Sequence, residues 1–258
     1  MRKAVGGTTL IYAPTIELVN ASTYNRTAIM RFFDDIKVDP KTYNYESQPE
    51  VSFEQSITEF AARMCYQSWD KGRPHREHIH HLTSVGHLSV FEHNVFTFAL
   101  AGISRSLTHE LVRHRHMSFS QLSQRYVDHT NWNLGFVVPP DLIQWFKDNP
   151  LAEEEWAENR FKELLEYKAS LASTSGSELH IKRRRQAARN CLPNCMETRM
   201  VVSGNARTWL EACLKRRPPG TTMENSPADL EIWRLFDRIK HILQSSYFPD
   251  MFKHFYEN

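Results

Sequence analysis

Val90–Tyr126 reads VFEHNVFTFALAGISRSLTHELVRHRHMSFSQLSQRY. Its first part, Val90 to Leu100, is dense in β-branched and aromatic residues and predicts a buried strand. A polar helix is expected next, from about Ser104 towards His116. Ser118 to Tyr126 holds too much serine to continue as helix and reads as a loop. The passage from helix to loop is where chemistry would sit.

Towards the N-terminus, Phe53, Ile57, Phe60, Ala61 and Met64 share a helical face, and Arg76 to Val85 predicts a second helix that Gly86 ends. Leu10 to Val19 reads as one strand, and the rest of the first fifty residues carries no legible function. Towards the C-terminus, Leu134 to Val138 stops at Pro139 and Pro140. A long amphipathic segment, Leu151 to Leu171, precedes a turn at Ser173 to Ser177. Ile181 to Asn190 reads as a basic helix, Thr198 to Ser203 as a strand, Gly204 as a turn, and Arg207 to Lys215 and Leu230 to Leu243 as helices. No internal repeat or linker interrupts the chain.

The 258 residues, 41% hydrophobic and 12% aromatic, suffice for a sizeable core. With 32 Lys and Arg against 30 Asp and Glu the net charge is +2, too balanced to coat a polyanion, so any basic site is local. No apolar run approaches the roughly 18 residues that span a bilayer, and Met1 to Leu10 lacks the apolar stretch of a signal peptide. The expectation is a cytoplasmic protein with no membrane or nucleic-acid partner. Cys65, Cys191, Cys195 and Cys213 read as reduced thiols. Nine glycines include none at the spacings that close a backbone around phosphates, which argues against a Rossmann site or a P-loop.

Arg113 to Tyr126 packs three arginines, two histidines, three serines and two glutamines into fourteen residues. Guanidinium forks grip phosphate oxygens two at a time, and hydroxyls and amides can read a base. Leu111, Val112, Met117, Phe119 and Leu122 interleave this run with apolar anchors that a solvated face would not need. A second basic stretch, Lys182 to Asn190, sets Arg185 and Arg189 one helical turn apart, although surface solvation explains Lys182 to Arg184 equally well. His78, His80, His81, His87 and His93 match no zinc signature, so no metal is expected.

The run from Arg113 resembles the signature of the flavin-dependent thymidylate synthases: R-H-R, two residues, Ser, four residues, Ser, one residue, Arg. Ser84–Tyr126 as a whole and the later RQAARNCLPNCMETRMVVSGNARTW, Arg185–Trp209, are similar to the family too. The similarity covers roughly Phe60 to Arg216 and resumes near Asp229. The resemblance implies a single α/β domain over residues 1–258, a central sheet flanked by helices and not Rossmann, with residues 1–50 poorly matched. It implies reductive methylation of dUMP to dTMP, with 5,10-methylenetetrahydrofolate as carbon donor and NADPH as reductant through FAD. It also implies a homotetramer with sites at subunit interfaces.

Carried onto this chain, the flavin contacts fall on Ser89, Arg113, His114, Arg115, Gln121, Asn205, Arg207 and Glu211. The dUMP contacts fall on Glu110, Arg113, Gln121, Leu122, Ser123, Gln124, Arg125, Arg189 and Arg216, with His87 near the folate or nicotinamide. Arg216 is the implied catalytic residue, because a guanidinium beside the uracil imide favours its deprotonated form and makes carbon 5 electron-rich. Two departures stand out. Glu211 occupies a position that is commonly Asn or His in the family, and residues 217–227 form an extra loop that leaves Arg217 as a rival to Arg216. The alternatives are a basic nucleotide- or nucleic-acid-binding module without catalysis, and a cysteine-dependent methyltransferase.

Overall fold

The computed structural model describes residues 1–23, 25–39, 53–71, 73–130, 133–171 and 177–257. In chain order the elements are β1 (Arg2–Val5), β2 (Thr8–Ile11), β3 (Thr15–Ala21), α1 (Arg26–Asp35), α2 (Phe53–Tyr66), α3 (His75–Ser84), a 3-10 helix Leu88–His93, β4 (Val95–Ser104), α4 (Arg105–Leu111) and β5 (Ser118–Gln121). There follow β6 (Phe136–Val137), α5 (Pro140–Asp148), α6 (Pro150–Leu171), α7 (Glu178–Ala188), a 3-10 turn Arg189–Cys191, β7 (Glu197–Asn205), α8 (Ala206–Arg216), α9 (Leu230–Ser246) and α10 (Pro249–Glu257). The expected α/β class stands. The strands form two sheets instead of one central sheet: three strands in the order β1-β2-β6, and four in the order β3-β4-β7-β5.

The chain divides into two compact units. The first contains residues 1–17, 99–202 and 227–235. In it β1 pairs antiparallel with β2 (Arg2 opposite Ile11), and β2 pairs parallel with β6 (Leu10 opposite Phe136). Leu10, Phe136, Val138, Phe146, Ala157 and Met196 bury a common core there. Gly135 admits this pairing, since a Cβ would lie 2.5 Å from the Thr9 carbonyl. Glu197, fully buried, binds this unit together. Its carboxylate accepts from Arg2 Nη1 at 3.0 Å and from the Gly102 and Gly135 amides at 3.0 and 3.1 Å.

The second unit contains residues 18–98, 203–226 and 236–258. Trp209 of α8 is its largest buried side chain, packed edge-on to Phe98 at 4.9 Å with its indole N–H on the Phe96 carbonyl at 3.3 Å. A second cluster joins Phe33, Phe60 and Trp69 from α1, α2 and the turn beyond.

Several expected elements differ. The strand read over Leu10 to Val19 breaks at Ala13 and Pro14, because proline cannot donate to a ladder. Val90 and Phe91 belong to the 3-10 helix, and β4 begins only at Val95, after the buried Asn94. α4 stops at Leu111, short of His116. Ser118 to Gln121 is a strand, not a loop: its exposure alternates, and the Leu122 amide just beyond it donates to the Arg199 carbonyl at 2.8 Å. Gly204 continues β7 and makes no turn. The turn placed at Ser173 to Ser177 lies, up to residue 176, outside the described residues.

Candidate active site

In the first unit the arginine-rich segment follows α4. Ser104 caps that helix, its Oγ accepting from the Leu107 amide at 2.9 Å, while the Arg105 and Ser106 amides donate to the Met196 and Asn194 carbonyls. Glu110 lies half-buried in its last turn. Beyond Leu111 the backbone folds tightly, the Arg113 amide donating to Glu110 and the His114 amide to Leu111, at 3.2 and 3.1 Å. Leu111 and Met117 are buried, His114 is half-buried, and Arg113 and Arg115 are exposed. The apolar anchors therefore hold the turn while guanidinium forks remain accessible.

β5 then brings Gln121 back to α4 and β7, its Nε2 donating to Thr108 Oγ1 at 3.0 Å and to Thr198 Oγ1 at 3.4 Å. The Ser123 hydroxyl accepts from the Arg125 amide and the Ser123 carbonyl from the Val127 amide, so Ser123, Gln124 and Arg125 share one tight turn after Leu122. Arg105, half-buried, has its guanidinium pKa lowered by burial first and by the charge of Arg189 second. Among the described residues no carboxylate forms an ion pair with Arg105, Arg113, Arg115, Arg125 or Arg189. Arginines without carboxylate partners, of which Arg105 and Arg189 lie close enough to sense each other's charge, suit a phosphorylated guest.

The remaining candidates lie in the second unit. His87 and Ser89, both exposed, sit at the start of the 3-10 helix. The His87 ring stacks on Tyr66, with centroids 5.9 Å apart and planes at 17°. Tyr66 was missed in the sequence, where it is one aromatic at the end of a helix. Asn205 spends its side chain on capping α8, its Oδ1 accepting from the Thr208 amide at 2.8 Å. Arg207 donates to Glu92 Oε1 at 2.7 Å and to Glu211 Oε1 at 2.8 Å, and these bonds, Glu211's first, raise its pKa. It thus meets two carboxylates, whereas Arg105, Arg113, Arg115, Arg125 and Arg189 form no ion pair with a carboxylate among the described residues. Arg216 closes α8, half-buried. Arg217 turns out of the helix, with Nε on Asp237 Oδ1 at 3.0 Å and its guanidinium 5.4 Å from the Tyr256 ring centre.

Two of the four thiols are unsuited to attack. Burial pushes Cys195 up to about 11 and raises Cys213 further, so neither forms a nucleophilic thiolate near neutrality. Among the described residues no group of three or more His, Cys, Asp and Glu side chains is placed to hold a metal, and no helix is long and apolar enough to cross a membrane.

The two sheets flanked by helices define an α/β protein in which Arg105, Arg113, Arg115, Arg125 and Arg189 form no ion pair with a carboxylate among the described residues. The fold is similar to that of a UMP/dUMP methylase from Streptomyces cacaoi, solved with 5-Br dUMP: TM-score 0.64 at 20% identity, covering 95% of this chain and 96% of that one. The 5-Br UMP form gives a TM-score of 0.62. The family model described as thymidylate synthase complementing protein matches residues 50–247. The protein named flavin-dependent thymidylate synthase in Mycobacteroides abscessus is 44% identical over 191 residues, 70% of this chain and 71% of the relative. The one of the same name in Mycobacterium tuberculosis is 42% identical over 187 residues, again 70% and 71%. The chain belongs to the flavin-dependent thymidylate synthase family.

Proposed function

We propose that this protein converts dUMP to dTMP by reductive methylation, with 5,10-methylenetetrahydrofolate as carbon donor, NADPH as reductant and FAD between them. The observation that carries the reading is the set Arg113, Arg115 and Arg125, held by buried anchors inside the family's R-H-R signature, which like Arg189 forms no ion pair with a carboxylate among the described residues. Bound FAD supplies the reducing equivalents that turn a transferred methylene into a methyl group.

In this reading Arg113, His114, Arg115 and Gln121 hold the flavin, and Ser89, Asn205, Arg207 and Glu211 are its further candidate contacts. The site is shared between subunits of a homotetramer, and residues 1–258 act as one family domain whose first fifty residues are poorly matched. dUMP is gripped by Arg189 and Arg125, with Ser123 and Gln124 on phosphate or sugar, and Glu110 and the Leu122 backbone nearby. His87, with Tyr66 beneath it, presents an aromatic face suited to a folate or nicotinamide ring. Arg216 stabilises the uracil ring deprotonated at N3, which drives electron density to carbon 5 without a thiol. The cytoplasm is the proposed location.

The test is tritium release from dUMP labelled at carbon 5, with dTMP formation, in protein supplied with FAD, NADPH and the folate. A protein that takes up no flavin and releases no tritium would overturn the proposal.

A further inference from the structure

α8 ends at Arg216, and helix ends fray because their last carbonyls lack partners. Here the next residue is fastened on several sides within a single unit. The Arg217 amide donates to the Cys213 carbonyl at 2.8 Å. Its guanidinium Nε donates to Asp237 of α9 at 3.0 Å. Its carbonyl accepts from the Tyr256 hydroxyl of α10 at 2.9 Å. Arg217 and Lys240 both lie against the Tyr256 ring, at 5.4 and 4.6 Å from its centre. α10 itself is anchored by Met251 and Phe252, both fully buried. This helix begins at Pro249, beyond residue 247, where the family match ends.

We propose that Tyr256 and Asp237 are positioning residues for Arg216: they lock the backbone and side chain of Arg217, so that the preceding guanidinium meets the uracil imide in one orientation. This rests on the reading of Arg216 as the activating residue. The physical reason is leverage. Arg216 is bonded directly to the locked residue, and a displacement of about 1 Å at a catalytic group costs up to about a hundredfold in rate. Neither Tyr256 nor Asp237 needs to touch substrate, because each acts through Arg217.

The test uses the holoenzyme and two variants. Tyr256→Phe keeps the ring against Arg217 and Lys240 but deletes the hydroxyl donor, and Asp237→Asn removes the charge on Arg217. Hydrogen exchange of the Leu214 to Arg217 amides should quicken about tenfold in both, with the first turns of α8 and the flavin content unchanged. Tritium release at neutral pH should fall about tenfold. It should recover as pH rises, because a loosened guanidinium lowers the uracil N3 pKa less and added base substitutes for it. A merely destabilised enzyme would lose rate equally at every pH, and that result, or unchanged exchange, would overturn the proposal. Should Tyr256→Phe fold poorly, Asp237→Asn decides alone. Wild-type protein without turnover, or Arg216→Ala with full turnover, would sink both this inference and the function beneath it. Turnover lost in Arg216→Ala but intact in both clamp variants would sink the clamp alone.

Discussion

His129 is 2% exposed, and neither ring nitrogen has a hydrogen-bond partner. Burial first, then the charge of Arg105, pushes its pKa from 6.5 down to about 4, against the opposing pull of Asp128 and Glu197. The unfolded chain therefore takes up this proton at a higher pH than the folded chain does. The stability is whole above pH 6.5 and drains away as pH falls towards 4, by on the order of 3 kcal/mol. His78, also lowered to about 4, adds loss of the same sign. Urea midpoints taken at pH 7.5 and 4.5 should separate widely in the wild type and less in His129→Gln, and equal separations would refute the assignment. At the same scale, Arg216→Ala should cut tritium release by about a thousandfold, as loss of a charge-stabilising donor does elsewhere. Arg217→Ala should retain more turnover but melt at a lower temperature, because it empties the Asp237 contact. If Arg217→Ala were the inactive variant, the roles would be exchanged.

Glu197 ties three elements of the first unit, β1 through Arg2, β4 through Gly102 and the approach to β6 through Gly135. Removing it strands an arginine and two buried amides. Glu197→Ala should lower unfolding free energy by about 3–5 kcal/mol in urea titrations, and a loss below about 1 kcal/mol would mean water replaces the carboxylate. Glu92 and Glu211 join the 3-10 helix to α8 through Arg207, in side chains that are 40–50% exposed. Such exposed pairs are worth about 1 kcal/mol or less, so a flavin phosphate can displace them. Glu211→Gln should tighten FAD binding by a few-fold at low salt, read by flavin fluorescence quenching. Weaker binding would instead show that Glu211 aims Arg207. Elements were legible where burial repeats at helical period: α6, α8 and α9 fall close to their expected bounds. β5 was not, because an edge strand of serine and glutamine owes its form to pairing. Neither was Gly204, whose strand geometry comes from its neighbours.

At the scale of the whole molecule the proposed shared site makes cofactor retention depend on assembly. Flavin fluorescence should appear at the dilution where light scattering reports loss of the tetramer. Monomers that keep FAD would count against a site built from several subunits.

Through its family resemblance the sequence implied the α/β class, and by itself it determined the long helices, the lack of glycines at phosphate-loop spacing and the arginine signature. Each of these is written in adjacent or periodic residues, so neighbours along the chain carry the signal. Only the tertiary structure decided that Arg207 meets Glu92, 115 residues away, that Tyr66 lies under His87, and that Tyr256 holds Arg217 from 39 residues downstream. Those contacts join residues whose spacing has no period, and their partners are chosen by the packing of Trp209, Phe252 and the other buried side chains around them.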